Sequence, residues 1–375
     1  MIEPTVSPAG EQPSELSVSR PGASSADLVE LGWDDGFEAL FQEELASLAP
    51  LAHEPASRGR VLRRDRTLCS VGTDAGVRQL TIAQHLLASP LEAPTTGDFV
   101  VVAGGEIIAV LERRTAIRRA AFRDLSAQVL AANVDTVLAV SSLANPWRPR
   151  RVERLLVIAW QTGAVPIVVL SKADCCEEAG EVYAAAVAVA PGCAVHAVSA
   201  FTGEGMEGLA AELGRRTTSV MIGTSGAGKS TLANALSNGE AGLATAEIRD
   251  DGKGRHTTVA RELVQLANGA LMIDTPGLRA IGLWDAEDAL ADAFSDVEEL
   301  ALGCRFNDCA HDREPGCAVK EAIEDGRLEF ARLDSYRRLQ REQQRLAART
   351  DARLRAERSA AFKAMGRQIR TQFYR

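Results

Sequence analysis

Two groups of residues in this chain have the types and spacing to do chemistry. The first is Gly223-Thr224-Ser225-Gly226-Ala227-Gly228-Lys229-Ser230, with the spacing GxxxxGK[ST]. The apolar run Val220-Met221-Ile222 precedes it and Thr231-Leu232-Ala233-Asn234-Ala235-Leu236 follows, so the order reads strand, loop, helix. Glycines let such a loop curl until its backbone N–H groups point at phosphate oxygens. Lys229 then reaches the β- and γ-phosphates, and the Ser230 hydroxyl sits on Mg²⁺. The bland alternative is a glycine-rich turn before an ordinary helix. The complete motif in this context favours a nucleoside triphosphate, without naming the base or the phosphate acceptor. The second group is Cys304-x4-Cys309-x-His311-x5-Cys317. Three thiolates and an imidazole complete a tetrahedral zinc shell with no open position, which makes the metal structural. Free buried cysteines beside a stray histidine are the alternative.

Three shorter motifs fit around the phosphate loop. Asp274-Thr275-Pro276-Gly277 follows the strand-like Leu271-Met272-Ile273. An Asp at such a strand end holds Mg²⁺, and the Gly277 N–H can bond a γ-phosphate. Ser171-Lys172-Ala173-Asp174 closes the run Val165–Leu170. The Asp174 carboxylate can accept from guanine N1–H and the N2 amino group, donors that adenine does not offer in that geometry. The Lys172 stem can lie against the base face. Ser199-Ala200, at the end of the next strand, can present a backbone N–H to guanine O6. Each short match is weak alone, but the two base-reading motifs, at 171–174 and 199–200, lie at strand C-termini, where α/β sheets bind ligands.

The elements that must position these residues follow from pattern and composition. At 375 residues the chain has room for two or three domains. It has no run of eighteen apolar residues and no basic region leading into an apolar stretch at its start, so a cytoplasmic location without a membrane is expected. The net charge of −9 argues against nucleic acid only until it is located. Eleven acids precede Arg58, against Arg20 alone, while from Arg327 to Arg375 arginines outnumber acids. A chain polarised this way can dock on RNA through local patches. Seven cysteines, an odd count, do not suggest a disulfide framework.

Residues 1–26, rich in Ser, Pro, Gly and Glu, read as a disordered tail. Residues 27–48 read as a short acidic amphipathic helix, docked on the body or on a partner. Short β runs at Arg60–Arg64, Thr67–Val71, Val77–Ile82, Asp98–Val102 and Ile107–Leu111 suggest a small barrel of OB type. Arg58, Arg60, Arg63, Arg64 and Arg66 are then either an RNA-facing surface or solvated edge charges. From about 130, Val/Ile/Leu strands alternate with helices, which implies a parallel sheet covered on both faces. Residues Ser237–Arg255 read as a mobile loop, and the chain after about 285 as helical. The expected architecture is therefore multidomain. An acidic, largely disordered extension spans 1–55 and an OB-fold-like barrel 56–120. An α/β P-loop domain spans 121–288, and an α-helical zinc-binding domain with a basic C-terminal helix spans 289–375.

Most GTPases run phosphate loop, switch threonine, DxxG, then [NT]KxD and SA; here the base-reading motifs come first. In that order the chain resembles the circularly permuted RsgA/YjeQ family of small-ribosomal-subunit biogenesis GTPases. The resemblance rests on SKAD at 171–174, SA at 199–200, GTSGAGKS at 223–230, GRHTT at 254–258, DTPGLRAIGLW at 274–284 and the Cys/His cluster, and covers about residues 56–340. It implies hydrolysis of GTP to GDP and phosphate, stimulated by the maturing small (30S) subunit and its rRNA. It also implies Mg²⁺ and one structural Zn²⁺ as cofactors, and a monomer. The nucleotide set it implies is Ser171, Lys172, Asp174, Ser199, Ala200, Gly223, Thr224, Ser225, Gly226, Ala227, Gly228, Lys229, Ser230, Thr231, Thr257, Thr258, Asp274 and Gly277. Magnesium would rest on Ser230, Asp274 and Thr258, with Thr257 as the other candidate. The catalytic set is Lys229, Thr258 and His256. His256 is the candidate to position water, because Leu278 stands where Ras-like enzymes carry a Gln; otherwise it is a surface histidine in a loop. The family usually has Asn where Ser171 stands, and that Asn supports the loop, so weaker guanine binding is expected. Permutation places switch II just before the zinc domain, so loss of the γ-phosphate is expected to reorient that domain on RNA. A P-loop kinase acting on a metabolite and a non-catalytic, nucleotide-gated RNA-binding scaffold stand as rival readings.

Overall fold

A computed structural model of the chain describes residues 27–48, 55–119, 128–237, 261–274 and 287–345. Its central layer is built by strict alternation along four parallel strands: β8 (Thr136–Ser142), β9 (Val165–Ser171), β11 (Thr218–Gly223) and β13 (Leu271–Asp274). Successive strand side chains point to opposite faces. Val137, Val168, Val220 and Ile273 therefore enter one core, and Leu138, Ile167, Met221 and Met272 the other. Helices α2 (Pro149–Trp160) and α3 (Ala179–Val189) cover the first face. Helices α4 (Met206–Glu212) and α5 (Lys229–Leu236) cover the second. With β10 (Ala194–Val198) and β12 (Glu262–Gln265) the order is β10-β9-β8-β11-β13-β12. Only β12 in this half runs antiparallel to its neighbour.

The sheet does not stop there. β12 also pairs with β1 (Ser57–Asp65) at Arg63↔Glu262. β1 is a wall of a closed five-stranded barrel with β2 (Leu68–Thr73), β3 (Gly76–Ile82), β4 (Phe99–Ala103) and β5 (Glu106–Val110). The barrel closes in the order β1-β2-β3-β5-β4-β1, with β3 and β5 parallel. Val61, Val71, Leu80, Val100 and Ile107 fill it. A two-stranded ribbon, β6 (Ala116–Arg119) with β7 (Gln128–Ala132), leads from the barrel into the α/β layer. After α6 (Glu287–Ala293) and α7 (Ser295–Ala301) come the cysteine-bearing loop, α8 (Ala318–Glu324) and a helix over 330–345. No helix among the described residues is long and apolar enough to cross a membrane.

The five barrel strands lie within three residues of their expected bounds, but one of the β1 arginines, Arg60, is not at the surface. Arg60 is buried, 1 % exposed. Its guanidinium donates to the carbonyls of Gly97 (3.2 Å), Asn133 (3.3 Å) and Leu31, and to Thr218 Oγ1 (2.8 Å). It also lies 4.5 Å from the Phe99 ring centroid. A buried cation needs this many acceptors. Arg58 pairs with Glu38 and Asp74, Arg63 with Asp65, and Arg64 donates to Pro94 O. The expected disordered extension includes a folded part: α1 (Asp35–Leu48) and the turn before it dock on the body. Trp33, Phe37 and Phe41 pack with Phe99, Val101, Ala109 and Leu111. Residues 1–26 and the expected loop from 238 onward lie outside the described residues.

Candidate nucleotide site and metal centre

The phosphate loop leaves β11 at Gly223, where a side chain could not fit. A Cβ there would lie 2.3 Å from the Val140 carbonyl oxygen on the adjacent strand. Gly228, at φ +81°, turns the chain left-handed into α5. The loop therefore curls between two positions that only glycine occupies without strain. Lys229 Nζ folds back to donate to the carbonyls of Gly223 and Thr224, each at 2.9 Å. That places its charge at the mouth of the loop. Thr224, Ser225, Gly226 and Thr231 are exposed, and Ser230 is half-buried on the first turn of α5. A cradle of this kind, with its cation at the opening, fits a chain of phosphates.

The base-reading turn is joined to this loop directly. Ser171, the last residue of β9, is 1 % exposed, and its Oγ donates to the Ala227 carbonyl at 2.7 Å. The sequence marked Ser171 as a departure; the structure finds its hydroxyl tethering the two halves of the site. Lys172 takes a left-handed φ of +60°, rare without a glycine. Its Cε comes within 3.7 Å of where a Gly228 Cβ would stand. Asp174 is exposed beside it, and a hydrogen bond with the Ser199 side chain holds its carboxyl below the usual range. An ionised carboxylate has acceptors only, as a reader of guanine donors requires. Ser199 Oγ also accepts the N–H groups of Phe201 (3.3 Å) and Thr202 (3.1 Å), which shapes the turn that carries Ala200. One contact went unread in the sequence: Cys175 Sγ donates to Asp174 at 3.4 Å. β13 ends at Asp274 alongside β11, one strand from the loop. His256, Thr257, Thr258 and Gly277 lie outside the described residues.

The Cys/His cluster assembles as its spacing suggests. Cys304, Cys309, His311 and Cys317 bring one ligand atom each to within 4.8 Å of all the others. Cys304 Sγ lies 3.9 Å from Cys317 Sγ, and His311 Nδ1 lies 3.6 and 3.5 Å from those sulfurs. The edges of a tetrahedral zinc shell with such ligands are roughly 3.5–3.8 Å. The donor set and its dimensions therefore fit a structural zinc ion. Backbone closure keeps it in shape: Arg305 N donates to Gly316 O, and the Glu314 carboxylate accepts from the N–H groups of Ala310, Asp312 and Arg313. Burial and the Arg337 guanidinium lower the His311 pKa, which favours the neutral, ligating imidazole.

Known proteins share both sequence and fold with this chain. The RsgA GTPase family model matches residues 110–284. Small ribosomal subunit biogenesis GTPase RsgA of Streptomyces avermitilis is 48% identical over 351 residues, covering 90% of this chain and 92% of that protein. Its counterpart in Streptomyces coelicolor is 46% identical, with 90% and 93% covered. The crystal structure of YjeQ from Thermotoga maritima matches with a TM-score of 0.58 at 27% identity, over 75% of this chain and 96% of that one. YloQ, a circularly permuted GTPase, shares the fold at a TM-score of 0.54 and 24% identity, over 76% and 93% of the two chains. Identity near one half over nine-tenths of both chains reaches well beyond the nucleotide loop into barrel and zinc unit alike, and the chain belongs to the RsgA family of GTPases.

Proposed function

We propose that this protein hydrolyses GTP to GDP and phosphate and works on the maturing small ribosomal subunit, whose rRNA it contacts and which stimulates its turnover. The observation that carries the reading is the Ser171–Ala227 hydrogen bond, which sets a guanine-reading carboxylate and a phosphate loop at the two ends of one site. The names of the Streptomyces relatives supply the ribosomal partner.

In this reading Asp174 accepts from the guanine edge, Ser199-Ala200 faces O6, and the Lys172 stem covers the base. The loop from Gly223 to Ser230 wraps the phosphates, and Lys229 exchanges its two carbonyl partners for β- and γ-phosphate oxygens. That exchange places a charge where the leaving oxygen becomes negative. Ser230, Asp274 and one of Thr258 or Thr257 are the residues that would hold Mg²⁺, which offsets charge between the β- and γ-phosphates when bound. Gly277 N–H bonds the γ-phosphate, and His256 orients the attacking water. The domains would divide at 56, 121 and 289, with the protein acting as a cytoplasmic monomer.

Phosphate release from GTP and ATP, with and without purified small subunits, tests this. GTP is expected to be turned over slowly alone and faster with subunits, with ATP inert. Lys229→Ala should abolish both rates. Equal use of ATP, or an active Lys229→Ala enzyme, would reject the assignment.

A further inference from the structure

Glu30, Asp34 and Glu38 recur at four-residue intervals in the acidic N-terminal segment, and each holds arginine. Glu30 accepts from Arg215 (3.1 and 2.9 Å) and from Arg216 (2.7 Å). Asp34 takes Arg114 in a two-pronged pair, 2.6 Å on each side. Glu38 takes Arg58 at 2.5 Å, and Arg58 also holds Asp74. These arginines come from β1, from the stretch after β5 and from the turn before β11. Each pairs with a carboxylate of this one segment, beside the place where Arg60 links barrel and α/β layer. Surface ion pairs contribute little to stability, so folding alone is a weak reason to gather them. Arginines converging from separate elements are what a phosphate backbone requires.

Two further observations bear on what the carboxylates do. The guanidinium side chains remain open to solvent, 34 % exposed at Arg58, 46 % at Arg216, 47 % at Arg114 and 66 % at Arg215. The segment is also held by Trp33, Phe37 and Phe41 packed on Phe99, an apolar contact that the ion pairs do not make, although Arg58 and Arg114 lie over the Trp33 and Phe37 rings (5.3 and 3.9 Å) and Trp33 Nε1 donates to Glu38. An incoming polyanion can thus displace the carboxylates while the apolar anchor keeps the segment attached.

We propose that Arg58, Arg114, Arg215 and Arg216 form a binding surface for an RNA phosphate backbone, masked in the free protein by Glu30, Asp34 and Glu38. The mask makes binding conditional, since RNA must outcompete a tethered acidic segment to engage this face. Non-ribosomal polyanions, lacking further contacts, are held off. The identity of the RNA rests on the small-subunit reading above.

The test uses the full chain and a small-subunit rRNA transcript, with affinity measured across a salt series. Glu30→Gln/Asp34→Asn/Glu38→Gln unmasks the surface. Asp35→Asn/Glu43→Gln/Glu44→Gln makes the same charge change on carboxylates that hold no arginine among the described residues. The unmasked variant should bind at least about tenfold tighter than this control, with a salt slope steeper by about two to three. Adding Arg215→Gln/Arg216→Gln should remove most of the gain. If thermal melting shows the triple variant misfolded, Glu30→Gln alone, which frees Arg215 and Arg216, should shift affinity and slope in the same direction. Equal affinities and slopes for unmasked and control variants would overturn the proposal and leave the segment a brace. Subunit-stimulated hydrolysis, measured in parallel, judges the small-subunit reading separately.

Discussion

At Ser171 one hydroxyl connects the two ends of the nucleotide site. It is buried, and its partner, the Ala227 carbonyl, lies in the phosphate loop. Removing it leaves that carbonyl without its bond, a cost of about 1–3 kcal/mol if water does not enter. Ser171→Ala should therefore loosen the loop and weaken GTP and GDP binding alike, by about tenfold. Equilibrium binding of both nucleotides checks this, and an unchanged affinity would show the tether to be incidental. The family pattern makes the loss of Asn at this position look like a weakening. Only the structure shows that the serine hydroxyl reaches the Ala227 carbonyl of the phosphate loop. Arg60 teaches the same lesson. In sequence it is one of five arginines within nine residues. Its acceptors, Leu31, Gly97, Asn133 and Thr218, are scattered through the chain, so nothing local marks it as buried.

Among the elements, those with a strong period or a complete motif were legible. The parallel strands, α2, α3, the phosphate loop with α5 and the barrel strands all announce themselves through apolar runs and turn residues. The four-residue strands β6 and β12 do not, because they carry neither an apolar run nor a motif at their end, unlike the equally short β13, whose Leu271-Met272-Ile273 leads into Asp274. β12 matters despite its size, since its antiparallel pairing with β13 and its contact with β1 carry one sheet into the other. The zinc loop is the opposite case, short and irregular yet legible from four residue types. Its cysteines pack in or against the main core, but the residues between them are mostly exposed; Arg337, on the 330–345 helix, braces it by donating to the His311 carbonyl. A metal should therefore supply much of its order. The protein as isolated should contain one equivalent of zinc, and Cys317→Ser should lose it and lower the melting temperature. Metal analysis and thermal melting of both forms check this. A metal-free protein of unchanged stability would remove the centre from the fold.

At the scale of the whole molecule, the two arginines buried among the described residues, Arg60 and Arg332, sit at two junctions. Arg60 joins barrel, N-terminal segment and α/β layer. Arg332 joins the 330–345 helix to the rest. It donates to Glu153 on α2 (2.9 Å), to Val189 O at the end of α3 (3.2 Å), to Ala293 O (2.6 Å) and to Asp296 (2.8 and 3.0 Å). Ser335 donates to the other Glu153 oxygen, and the guanidinium stacks 4.0 Å from the Phe294 ring centroid. One apolar core runs through α2, α6, α7 and this last helix. A zinc unit fastened in this way cannot swing freely on the 275–286 connection. Any nucleotide-driven reorientation must carry α2 with it or break the Arg332–Glu153 pair. The energetics make breaking expensive, because Glu153 is 2 % exposed and would lose the guanidinium it faces. Arg332→Met should cost about 3–5 kcal/mol in chemical denaturation, and Glu153→Gln/Arg332→Met should recover part of that loss. A label pair spanning α2 and the 330–345 helix should report the same distance with GDP and with a non-hydrolysable GTP analogue. A nucleotide-dependent change in that distance, or an Arg332→Met cost below about 1 kcal/mol, would mean the junction is a hinge after all.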